Sequence, residues 1–150
     1  SWTITRLSLG VIVVGQPLLG RNSYADRFVA YVSPRITWLE SQAYCRQHHT
    51  DLATVMTESD VSLLEQLLPT LGIIDGWVGL TRNTWEWSDR SNASYLPWLS
   101  GQPDNLNTWE NCATATAGLL SDEQCTNKYY FTCSWSLKVC EPFRIFYISA

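Results

Sequence analysis

Between Ser100 and Cys112 the chain reads SGQPDNLNTWENC, and oxygen-bearing side chains crowd into it, among them Gln102, Asp104, Asn105, Asn107 and Glu110. Pro with Asp or Asn makes an ordinary surface turn, because Pro presets its own φ and Asx residues tolerate turn geometry. The same residues also supply what hard cations need, several carboxylate and amide oxygens within one flexible segment. Two readings are therefore open, a solvated turn or a loop whose oxygens converge on a ligand. Other chemistry has little to work with. There is no GxSxG, HExxH or phosphate-loop pattern, and His48 and His49 carry no partner spacing, so a solvated helix terminus is expected there.

The totals narrow the field. A chain of 150 residues supports one domain with a real core. Hydrophobic residues make up 45% and charged residues 16%, a globular balance. The net charge of −4 and a pI near 5.0, with no run of Lys or Arg beyond a pair, exclude the basic footprint that nucleic acid or an anionic membrane requires. The five cysteines, at positions 45, 112, 125, 133 and 140, include no CxxC and no zinc-type Cys/His spacing. Disulfides are the better reading, and they imply an oxidising compartment; an extracellular chain is expected, either secreted or the ectodomain of a cell-surface receptor. Cysteine positions alone do not choose a connectivity. Most of the eight Trp, including Trp77, Trp85, Trp87 and Trp98, read as core.

The elements that must position the loop follow from local pattern. RFVAYVS (Arg27–Ser33) alternates and is β-branched, so it predicts a strand that Pro34 ends. Thr37 with Glu40 forms a capping box that opens a helix, whose inward face carries Trp38, Ser41, Gln42 and Cys45. After the short extended DLATV, a second helix starts near Glu58 with Val61, Leu64, Leu67 and Leu68 on one side, and Pro69 closes it. GWVGL and TWEWS read as short strands. Periodicity is lost from Asp89 to Asp122; ENCATATA and YYFTCSW then read as strands joined by a turn-rich GLLSDEQCTNK. A long irregular stretch inside a compact domain is usually functional. The class is α+β, two helices early and short strands late.

Both ends stand apart. A chain that opens on Ser1 is expected to be a fragment. In residues 1–24, LSLGVIVVGQPLL (Leu7–Leu19) is uncharged but too short to span a bilayer; it suits either the apolar part of a signal peptide or a buried strand. The tail, 136–150, is apolar and carries Cys140.

WVGL, WEW, QPD, ENC and SDEQC…FTC, in that order and spacing, resemble the C-type lectin-like domain. The similarity covers about Phe28 to Ser134, within a domain placed at 25–135. It is of the short form and is closest in look to the lectin domains of mannose-receptor-like or small secreted lectins. It implies two helices flanking small antiparallel sheets, a long calcium- and ligand-binding loop, and pairing of Cys45 with Cys133 and of Cys112 with Cys125. Cys140 has no partner in that pattern and is read as a free thiol. On loop entropy the longer bridge contributes about 4–5 kcal/mol and the shorter about 3.

The resemblance also implies one Ca2+ on the loop, held by Gln102, Asp104, Glu110, Ser121 and Asp122, with Pro103 in a cis bond and two sugar hydroxyls completing the shell. The family's WND is LSD here, so a hydroxyl at Ser121 replaces an amide ligand. Asp104, Glu110 and Asp122 remain, and three convergent carboxylates repel unless a cation or protons neutralise them. A second calcium site is not expected, because Arg82 stands where acids would be needed. QPD, rather than the mannose-type EPN, implies galactose or N-acetylgalactosamine. The glycine-rich insertion that places a stacking Trp in such lectins is missing, so Trp109 either stacks on the sugar or packs under the loop. Asn92-Ala93-Ser94 is an N-glycosylation sequon.

Three functions follow: a calcium-dependent glycan-binding module of galactose type, its single-site affinity raised by multivalent assembly; a lectin-like domain that recognises protein or another ligand without calcium; and, distantly, a glycosidase on the acidic trio. The first is expected, with no enzymatic activity, no nucleic-acid partner and no membrane span in this chain.

Overall fold

A computed structural model describes residues 3–6, 11–15 and 27–134. Strands β1 (Thr3–Arg6) and β2 (Val11–Gly15) lead into β3 (Phe28–Ile36), α1 (Trp38–His48), β4 (Asp51–Leu52), α2 (Glu58–Thr70), β5 (Asp75–Thr81), β6 (Glu86–Trp87), β7 (Cys112–Thr116), β8 (Leu119–Glu123) and β9 (Tyr129–Ser134). The strands join in one sheet of order β1-β2-β3-β9-β5-β7-β8, with β4 on β9 and β6 on β5. It is mixed, because β5 and β9 run parallel while the other pairs are antiparallel. Within the amino-terminal apolar stretch, Val11–Gly15 is extended and pairs with β3. The tail 136–150, with Cys140, lies outside the described residues.

The capping box is as expected: the Thr37 hydroxyl accepts from the Glu40 amide while the Glu40 carboxylate accepts from the Thr37 amide. A second box, Thr57 with Asp60, opens α2 and was not read from the sequence. Its Asp60 is fully buried and also meets Arg27 at 3.0 Å. Trp38, Ser41 and Cys45 face inward from α1, and Leu64, Leu67 and Leu68 from α2. Pro69 lies inside the last turn of α2 rather than beyond it.

Three expectations about strands need correction. β3 does not stop at Pro34 but continues to Ile36, because the ladder with β9 breaks register between Tyr31 and Ile36, and a residue without an N–H costs no rung there. TWEWS yields only Glu86–Trp87, since Trp85 takes φ of 24° and leaves the ladder. GLLSDEQC is not a turn: Leu119–Glu123 is β8, paired along its length with β7. The turn is Ala117–Gly118, both at positive φ (48° and 84°), the geometry that suits a tight hairpin. Only glycine fits at 118, where any Cβ would run into the carbonyl of Val61 on α2.

Two packed clusters result. One sits under α2, with Leu64, Leu68, Val78, Leu80, Trp87 and Leu120. The other lies under α1, with Tyr31, Trp38, Leu52, Trp77 and Phe131 around the cysteines. Of the three buried indoles, Trp38 Nε1 donates to the Val78 carbonyl (2.7 Å) and Trp77 Nε1 to that of Ile36 (2.9 Å), whereas Trp87 Nε1 meets no acceptor among the described residues. Trp85 and Trp98 are only partly buried and meet edge to face at 4.8 Å. The disulfides are Cys45–Cys133, stapling α1 to β9, and Cys112–Cys125, tying the start of β7 to the segment after β8.

Candidate functional site

The irregular segment between β6 and β7 returns along β8, the last strand on its side of the sheet. Its backbone supplies the rungs that β8 lacks: the Leu120 amide donates to the Pro97 carbonyl and the Leu99 amide to the Leu120 carbonyl, each at 2.8 Å. One step further along, the Asp122 amide donates to Gln102 Oε1 at 3.3 Å, so a side chain stands in for the next rung. The Gln102–Pro103 bond is cis. Beyond it the chain turns through Asn105 and Asn107, both at positive φ (47° and 57°), a region that Asn tolerates better than most residues.

This path brings Asp104, Glu110 and Asp122 together. One carboxylate oxygen from each lies within 4.8 Å of the others. Asp104 is exposed, while Glu110 and Asp122 are 8% and 2% exposed. Backbone amides organise the group. Asp122 accepts from the amides of Asp104 (3.0 Å) and Asn105 (2.8 Å), one on each oxygen. The Leu106 amide donates to both Glu110 Oε2 (2.8 Å) and Asp104 Oδ1 (3.1 Å). The Asn105 side chain accepts from the Glu110 amide, and Gln102 Nε2 donates to Asp104 Oδ2, each at 3.3 Å. Burial pushes the Glu110 carboxyl above its ordinary value, and the neighbouring Asp104 and Asp122 add to this, against the Leu106 amide.

Of the residues singled out in the sequence, Gln102, Asp104, Glu110 and Asp122 meet in one place. Ser121 lies between Leu120 and Asp122 on β8, and the alternation of the strand puts it on the opposite face from them. Trp109 does not pack under the loop: it is 69% exposed beside Glu110, and Leu106 is exposed too. Asn92 is exposed. His49 is not a solvated terminus, because it is half-buried and hydrogen-bonded to the Tyr31 hydroxyl.

Two roles were not read. Asn105, counted only among the loop's oxygens, braces Glu110 by accepting its amide. Arg82, read only as a charge in the wrong place for a second ion, reaches Asp122 with Nη2 3.9 Å from Oδ2. Nothing in the local sequence links residues that far apart.

An α+β domain with two staples, whose one long loop gathers carboxylates at a sheet edge, defines a ligand-binding module. Residues 35–135 match the family model described as Lectin C-type domain, and the chain belongs to the C-type lectin family. It is 35% identical over 157 residues to C-type lectin lectoxin-Enh5 of Pseudoferania polylepis, covering 89% of this chain and 98% of that one. Among solved structures it is similar to human lithostathine (TM-score 0.65, 26% identity, 73% of this chain and 92% of that one). It is also similar to the mouse scavenger receptor C-type lectin carbohydrate-recognition domain (TM-score 0.64, 25% identity, 80% and 97%). The family is one of binding domains, not of enzymes.

Proposed function

We propose that the chain is an extracellular, calcium-dependent carbohydrate-binding domain of the galactose or N-acetylgalactosamine type. The observation that carries this is the meeting of Asp104, Glu110 and Asp122 oxygens within 4.8 Å at the tip of the loop. Hard, anionic oxygens in that number fit calcium, and the amides already bound to them leave further lone pairs. Gln102, Asp104, Glu110 and Asp122 would hold the ion, while Ser121, on the other face of β8, would not. When bound, calcium supplies open coordination for two neighbouring sugar hydroxyls. The chain's own residues set the preference: the Asp104 carboxylate accepts a hydroxyl proton, and the Gln102 amide donates to a hydroxyl oxygen, the order that separates QPD from EPN. Exposed Trp109 offers a face for the apolar side of the sugar. Two disulfides support an oxidising, extracellular setting, and Asn92 is open to glycosylation. Weak single-site binding would be raised by multivalent assembly.

Retention on galactose-agarose that EDTA abolishes is the expected result. Gln102→Glu with Asp104→Asn should move preference toward mannose, and an unchanged preference would count against the loop assignment. A second reading, recognition of protein or another ligand without calcium, is favoured by Arg82 on Asp122 and by a loop whose carboxylates already accept its own amides. Retention or partner binding indifferent to EDTA would select it.

A further inference from the structure

We propose that Arg82 is a built-in counter-ion of the acidic loop, which lowers the affinity of the loop for calcium and holds it in shape when no calcium is bound. This rests on the calcium reading above, and concerns a residue that the reading leaves out.

Arg82 directly follows β5. Its backbone amide donates to the Asn111 carbonyl at 2.8 Å, which fixes its origin beside the segment that enters β7. Its guanidinium lies 4.8 Å above the Trp85 ring, and Trp85 is itself braced edge-on by Trp98. On its other side Nη2 faces Asp122 Oδ2. The guanidinium thus lies between an aromatic face and a carboxylate, a placement that suits Arg because the planar cation stacks on the ring while its charge faces the anion. Its side chain is 27% exposed, and that of Asp122 is fully shielded.

Asp122 is the hub of the loop. Its carboxylate accepts the two backbone amides that shape the turn after Pro103, and its own amide donates to Gln102 Oε1. Its buried negative charge needs a partner, and Arg82 provides one without any metal. A divalent ion drawn to the three carboxylates would therefore meet a fixed positive charge beside one of them and share that carboxylate with it. Both effects weaken binding. An interaction that favours the empty form lowers affinity by the factor by which it stabilises that form. For a partly exposed pair this is about three- to tenfold in Kd.

The test is calorimetric calcium titration of the natural chain, Arg82→Gln, Arg82→Met, Arg82→Lys and, as a control, the exposed Arg90→Gln, with thermal melts in EDTA. Arg82→Gln should bind calcium about three- to tenfold tighter and melt lower in EDTA, so that calcium raises its Tm by more. Arg82→Met, which keeps the stem on Trp85, should do the same if Gln impairs folding, and Arg82→Lys should stay close to the natural chain. Unchanged or weaker binding by a folded neutral variant overturns the counter-ion role and leaves the calcium reading standing. An equal gain in Arg90→Gln reduces the effect to net charge and also overturns the role. Binding by the neutral variant alone supports the role but overturns the calcium reading for the natural chain. No binding by any of them overturns both.

Discussion

Around Cys45–Cys133 the neighbours are Val29, Tyr31, Trp38, Leu52, Trp77 and Phe131, all shut away from solvent. Tyr31 stacks on Phe131 at 4.8 Å, and Tyr44 meets both rings at their edges. Around the loop that the second disulfide ties down, the neighbours are carboxylates, amides and one guanidinium, and several residues take left-handed backbone angles. The first region is held by apolar burial, which is indifferent to direction and to ions. The second is held by directional hydrogen bonds to charged groups, so its order depends on salt, protons and cations. One region keeps the fold, and the other can respond to what it meets.

Several changes should break or sharpen that contrast. The largest effect belongs to the apolar side: replacing Cys45 and Cys133 with Ala should cost about 4–5 kcal/mol in denaturant unfolding, whereas replacing Cys112 and Cys125 should cost about 3. Only the second pair should abolish calcium-dependent retention in a chain that still folds. Next, Asp122→Ala in EDTA should cost about 2–3 kcal/mol, because it strands two loop amides and Arg82 together; a loss under half a kcal/mol would deny Asp122 its role as hub.

A smaller effect concerns protons on the apolar side. Burial, with the nearby His48, holds His49 below its ordinary value, and its ring meets the Tyr31 hydroxyl. The unfolded chain therefore takes up the proton first as pH falls. The stability that neutral His49 contributes is complete above its unfolded pKa of about 6.5 and is lost as pH drops from there through the lower folded value. Melts between about pH 7.5 and about pH 5 should show Tm falling, and less so in His49→Gln; an identical slope in that variant would contradict this. The smallest change in stability is expected for Trp109→Ala, within about 0.5 kcal/mol, because the side chain stands 69% exposed. Its calcium affinity should hold while galactose retention weakens, and unaltered retention would remove Trp109 from the sugar's path.

Much of this was legible in the residues themselves. Thr37 and Glu40 mark the start of α1 because a capping box is wholly local. The motifs from WVGL to FTC place the loop and both cysteine pairs because they resemble a family pattern in register. What escaped was set by partners distant in sequence. The hairpin between β7 and β8 turns on Ala117–Gly118, which lacks the usual Asn-Gly signature, so β8 and with it the surroundings of Asp122 read as a turn. Pro34 stays in β3 only because a register break receives it. The exposure of Trp109, the partner of His49 and the reach of Arg82 to Asp122 depend on how separate segments are stacked, which no window of sequence contains.

The Gln102 side chain, lying where a further strand would otherwise hydrogen-bond to β8, has a consequence for behaviour in crowded solution. A bare outermost strand invites a neighbour's backbone and so seeds assembly between molecules. Residues 97–102 shield that template. Variants that loosen them should therefore be lost first to precipitation at high protein concentration, so the same few residues would guard solubility as well as recognition.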